Sequence, residues 1–244
     1  MWEVSEETDL LVGIRGGVFL EEVLRSISVF SEECFGKMPK KIKCMDGRLL
    51  YNTEPFLGIA GSGILLDFED LYRLLKTQRN KSGLIIESHD FCGASLLAMQ
   101  QEDHFVETEE HAMQWYKFFS KLIGAKHVHV EMENSLHDER VLILDGTGRF
   151  NAYPVRNYLP SHFLCSGPSI GLSNLYCMAE IQTAINIVSH HGFGKMFNEN
   201  TNFFYILVFA ESVEQLDALS HLAYMASKDT PWVKVHGTVI PDFV

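Results

Sequence analysis

The stretch ESHDFCG places His89, Asp90 and Cys92 within a few residues of one another. A thiol, an imidazole and a carboxylate are the groups that a cysteine hydrolase uses as nucleophile, base and orienting acid. A second stretch, HVHVEME, alternates His127, His129, Glu131 and Glu133 with apolar residues. On a strand this spacing aims the four polar groups to one face, which is how a pair of histidines and a carboxylate come to hold a metal ion. A third, GIAGSGILLD, offers Gly58, Gly61 and Gly63, with Glu87 about where a ribose-binding acid would fall in a dinucleotide fold. A fourth, QEDHFVETEE, gathers Glu102, Asp103, Glu107, Glu109 and Glu110 around Phe105. Such a patch can meet a basic macromolecule.

Each stretch also has a structural explanation. Sequence neighbours rarely supply nucleophile–base geometry, so Cys92 reads as a small buried thiol beside a turn. The HVHVEME face reads as the solvated side of a half-exposed strand, with no separate distal ligand. The glycines run G-x-x-G-x-G rather than G-x-G-x-x-G, Pro55 precedes them, and ILLDF after them reads as a strand. The loop is therefore expected to be a turn, with no nucleotide. FLCSGPSIG lacks the G-x-S-x-G elbow that would expose a serine, and His190 and His191 suit the negative end of a helix dipole. No cofactor and no metal are expected.

These stretches sit in a chain of 244 residues, 46% apolar and 21% charged, which is enough for one large core or two fused small ones. The net charge of −12 disfavours sequence-independent nucleic-acid binding and docking on anionic lipid. The N-terminus MWEVSEETDLL lacks a secretory pattern, and no apolar run approaches the roughly 18 residues of a membrane span. Five scattered cysteines without C-x-x-C fit free thiols in a reducing, cytoplasmic setting.

Periodicity predicts a strand at 9–14 and a helix over 19–35. The Asp46-Gly47 dipeptide predicts a hairpin within 40–51. An Asp67-capped helix follows, then a buried strand at 82–88 and a helix capped by Thr108 and stopped by Gly124. A strand at 126–133 and a hairpin around Gly146-Thr147-Gly148 come next. A Ser173-capped helix ending near Gly192, a strand at 203–210, a helix from Val213 and a strand at 232–240 complete the chain. The expected class is α+β: two ferredoxin-like α/β layers, or one sheet with helices packed on it, with mixed or antiparallel strands. Two halves, 1–136 and 137–244, are expected to pack tightly as one unit, and no sequence repeat relates them.

The acidic N-terminus, the segment DLLVGIRGGVFLEEVLRSISVF and QEDHFVETEE give a general likeness. In these respects the chain resembles the cytoplasmic immunity proteins of bacterial toxin systems. That resemblance implies a monomeric or dimeric inhibitor that occludes a cognate, basic toxin, such as a nuclease, through Glu102, Asp103, Phe105, Glu107, Glu109 and Glu110. The alternatives are an enzyme, either a cysteine hydrolase using Cys92, His89 and Asp90 or a nucleotide-dependent transferase using the glycine loop, and an assembly subunit.

Overall fold

A computed structural model describes residues 18–36, 39–46, 54–79, 81–100, 108–132, 139–190, 197 and 203–240. The strand expected at 9–14 lies outside them. Among the described residues there are eight strands and seven α-helices. The first half contributes α1 (Val18–Val29), α2 (Ser31–Phe35), β1 (Lys41–Lys43), β2 (Leu57–Gly58), α3 (Phe68–Gln78), β3 (Ile85–His89), α4 (Gly93–Gln100), α5 (Glu109–Ile123) and β4 (Lys126–Val130). The second contributes β5 (Val141–Asp145), β6 (His162–Cys165), α6 (Asn174–His190), β7 (Phe204–Ala210), α7 (Val213–Ser227) and β8 (Val233–Val239).

The α+β class holds, but the expected antiparallel pairing does not. The strands form two four-stranded sheets, ordered β2-β1-β3-β4 and β6-β5-β7-β8, and every pairing is parallel. The hairpin expected around Gly146-Thr147-Gly148 does not form, and the second arm of the one expected within 40–51 lies outside the described residues. β1 pairs with β2 and β3 instead of folding back at Asp46, and the chain after Gly148 enters a 3-10 turn at Tyr153–Val155. The physical reason is burial on both faces. VLILD of β5 and FYILVFA of β7 are buried throughout, as strands are when helices cover both sides of a parallel sheet.

The two sheets repeat one strand order, a duplication invisible in the residue types. One core combines Ile42 and Ile86 of the first sheet with Leu142 and Ile206 of the second. A second core packs Val23, Ile27 and Phe35 against Ile143, Leu207 and Phe209. The halves also meet edge to edge. Leu164 N–H donates to the Met45 carbonyl at 3.0 Å and Ser166 N–H to the Gly58 carbonyl at 2.7 Å. A Cβ on Gly58 would stand 1.9 Å from the Leu164 carbonyl oxygen, so only glycine fits there.

Local caps position the helices as the sequence predicts. Asp67 accepts Asp70 N–H at 2.8 Å, Thr108 accepts His111 N–H at 3.2 Å, and Gly124 ends α5 with φ 77°. Ser173 accepts Tyr176 N–H at 3.1 Å and is itself held by the Asp70 carboxylate from α3. The single helix expected over 19–35 is broken at Phe30 into α1 and α2. Residues 64–66, expected as a strand, form a turn; the strand before the glycine loop is β2, on the sheet edge where Pro55 does no harm. No helix among the described residues is long and apolar enough to cross a membrane.

Candidate metal centre

In a parallel sheet of order β2-β1-β3-β4, the chain leaves β1 toward one side and returns to β3 on the other. The carboxyl ends of β1 and β3 therefore flank a topological switch point, where α/β sheets gather ligands. Cys44 follows the last residue of β1 and His89 is the last residue of β3. Cys92, three residues on, precedes α4. All three are buried, and one ligand atom from each lies within 4.8 Å of the others. The two sulfurs stand 3.9 Å apart and all five described cysteines are free thiols.

The backbone holds this cluster in unusual conformations. The loop after β2 forms a 3-10 turn at Ala60–Gly63, with Gly61 and Ser62 both at φ 53°. Gly61 must be glycine, because a Cβ would meet Ile64 at 2.5 Å and Ala94 at 2.8 Å. In return its N–H points at the Cys44 sulfur, 3.2 Å away. Tyr116 of α5 donates to the Gly61 carbonyl at 3.0 Å and meets the Ser95 hydroxyl at 3.0 Å. Phe91, between the two downstream members of the cluster, also has positive φ, 54°. Such conformations concentrate at functional sites.

The electrostatics are those of a thiolate pocket. The hydrogen bond with Cys44, with the His89 imidazole close by, holds the Cys92 thiol well below its ordinary pKa. The Cys44 thiol rises as its counterpart, hydrogen-bonded to Cys92 and buried. Burial opposes a charge on His89, but contact with Cys92 and the nearby Asp46 carboxylate outweighs it, and the imidazole pKa is raised. His89 Nδ1 donates to the Asp90 carbonyl at 2.7 Å. That bond fixes Nε2 as the inward nitrogen, and Nε2 is buried without a hydrogen-bond partner. Asp46 Oδ2 lies 3.8 Å from it.

A cavity of about 190 Å³ opens beside His89 and Cys92, with Ser95, Leu96, Met113 and Tyr116 in its wall. The cluster brings a thiol, an imidazole and an acid together where Cys92 alone reads as a small buried thiol beside a turn. The sequence singled out His89 and Cys92 correctly as neighbours in space. It missed Cys44, because 40–51 was read as a hairpin. The acid beside His89 is Asp46; the carboxylate of Asp90 turns instead to His129 Nε2 at 3.0 Å and Met132 N–H at 3.2 Å.

The HVHVEME histidines do face one way. Ser88 Oγ lies 2.8 Å from His127 Nε2 and 2.9 Å from His129 Nδ1. Glu131 is exposed, and the group of possible metal ligands found among the described residues is Cys44, His89 and Cys92 rather than this face. Glu87 is engaged by Lys43 at 2.7 Å in a buried ion pair. Glu109 and Glu110 are exposed in the first turn of α5, while Glu102, Asp103, Phe105 and Glu107 lie outside the described residues.

Among the described residues the close grouping of possible metal ligands is not repeated in the second sheet. At the end of β5 the buried Asp145 carboxylate accepts Thr147 N–H, Thr147 Oγ1–H and Phe150 N–H, at 3.0, 2.7 and 3.1 Å, which ties off a turn. No protein-family model matches the chain, and neither a curated protein nor a solved structure resembles it above chance.

Proposed function

We propose that Cys44, His89 and Cys92 hold one zinc ion and that the protein is a zinc enzyme that adds water to a small electrophilic carbon, by hydration or hydrolysis. The observation that carries this reading is the spacing of the ligand atoms around the unpartnered His89 Nε2. Two thiolates at about 2.3 Å from a tetrahedral zinc stand about 3.8 Å apart; the Cys44 and Cys92 sulfurs are 3.9 Å apart. Thiolates favour zinc over magnesium or calcium. A structural zinc closes its fourth position with a fourth protein ligand. Here Asp46 is not among the converging ligand atoms, and a cavity adjoins the cluster.

Zinc held by three protein ligands lowers the pKa of water at the fourth position to about 7 and makes it a nucleophile at neutral pH. Asp46, whose Oδ2 lies 3.8 Å from His89 Nε2, would be the carboxylate to orient such a water. Ser95, Tyr116, Asp90, Glu109 and His129 supply polar groups on the cavity wall beside apolar Leu96, Met99 and Met113.

The reading is tested by elemental analysis of the purified chain together with hydration of carbon dioxide and hydrolysis of an activated ester. One zinc per chain is expected, with activity lost on chelation and restored by zinc. A specific observation favours a second reading: the Cys92 thiolate paired with His89 is also the arrangement of a cysteine nucleophile. In that case the metal-free protein turns over the ester, and Cys44→Ser keeps the activity.

A further inference from the structure

We propose that His129 is a positioning residue for the metal loop, holding the Asp90 carboxylate so that His89 and Cys92, on either side of it, stay in ligating register. This rests on the zinc reading above.

Asp90 is tied in four directions. Its N–H donates to the Val130 carbonyl at 3.3 Å, and its carbonyl accepts His89 Nδ1–H at 2.7 Å. One carboxylate oxygen accepts Met132 N–H at 3.2 Å and the other accepts His129 Nε2–H at 3.0 Å. One residue thus orients the ring of a ligand through its backbone and is anchored to the end of β4 through its side chain.

The loop needs an anchor. Phe91 next to Asp90 sits in the left-handed region at φ 54°, which is strained for a residue with a Cβ. Tension that relaxes at Phe91 moves the residues on both sides, and these lead directly to His89 and Cys92.

His129 is held in turn. With its Nε2–H given to Asp90, Nδ1 is an acceptor and takes the Ser88 hydroxyl proton at 2.9 Å. The Ser88 oxygen is then free to accept His127 Nε2–H at 2.8 Å. The bonds run in one direction from His127 to Ser88, His129 and Asp90, and each of these links joins a donor to an acceptor. The alternation of HVHVEME places the two histidines on one strand face, where they serve the ligand loop. Partners of this outer tier typically change metal affinity by about 10- to 100-fold. The His129 and Asp90 side chains are 31% and 41% exposed, which sets the expectation at the lower end.

The test is zinc release from the full chain under chelator challenge. His129→Ala should release zinc about tenfold faster than wild type. His129→Gln, whose amide can still donate to Asp90, should recover most of the difference. Zinc-free His129→Ala should melt at the wild-type temperature, which a general structural defect would not allow. Unchanged release in His129→Ala, or a matching loss of melting temperature without zinc, overturns the proposal. Hydrogen exchange on the zinc-free proteins reads the anchor without any metal. Faster exchange of the Asp90 and Cys92 amides in His129→Ala is expected, and unchanged exchange overturns it. A wild-type chain that binds no zinc defeats the metal reading instead, and the exchange result still shows whether His129 holds the loop.

Discussion

Glu180, on α6 of the second half, accepts the backbone N–H of Ala60 in the loop that touches Cys44. The carboxyl is fully enclosed, and burial pushes its pKa up to about 8. The second half therefore reaches across to the metal loop with a group that is neutral at pH 7.

This contact makes stability depend on pH. An unfolded glutamate titrates near 4.3, so between there and about 8 the folded chain holds a proton that the unfolded chain has lost. Stability then falls as pH rises across that window, by up to about 1.4 kcal/mol per unit, and is level on either side. Urea denaturation at pH 5, 6, 7 and 8 should show this fall in wild type, and Glu180→Gln should remove it. Parallel curves for the two proteins would refute the assignment.

The seam between the halves depends on one glycine. Gly58→Ala puts a methyl group 1.9 Å from the Leu164 carbonyl, so β2 and β6 must part and their hydrogen bonds break. A loss of about 3 kcal/mol or more is expected in chemical denaturation. An alanine variant within about 0.5 kcal/mol of wild type would contradict the edge-to-edge contact.

The buried ion pair of Lys43 and Glu87 should show the asymmetry of buried charge. Lys43→Met leaves the Glu87 carboxylate enclosed without its cation and should cost about 3–5 kcal/mol. Lys43→Met with Glu87→Leu should recover most of that, since apolar replacement of both partners is often neutral. A double variant as unstable as the single one would show that packing against Phe56, above which the ammonium lies at 5.2 Å, matters more than the charge.

Much of this architecture was legible because its signals are local. The Asp67 and Thr108 caps, the Gly124 stop and the buried runs of β5 and β7 each rest on a few adjacent residues, and each forms where the spacing puts it. Strand direction is not local. Buried apolar runs look alike in parallel and antiparallel sheets, and Asp46-Gly47 suggested a hairpin that the parallel pairing of β1 displaces. Cys44 was lost with it, since only the crossover from β1 to β3 brings it to His89 and Cys92. Of the acidic residues in 101–110, Glu109 and Glu110 are described; both are exposed in the first turn of a helix, and Glu109 lines the cavity beside Cys92.

Asp46 separates metal binding from turnover. Asp46→Asn keeps the side-chain volume and leaves the three ligands in place, so zinc content should stay near wild type. Loss of the carboxylate that orients the water should lower kcat about 100-fold or more, the range for removing a positioned acid or base. Full activity in this variant would place the water elsewhere.

X-ray absorption at the zinc edge of the purified, zinc-loaded chain reads the coordination itself. Two sulfur neighbours at about 2.3 Å, one nitrogen at about 2.0–2.1 Å and one light-atom neighbour are predicted, with one sulfur lost in Cys44→Ser. A shell of nitrogen and oxygen alone, or a spectrum unchanged by Cys44→Ser, would contradict a centre built from Cys44, His89 and Cys92.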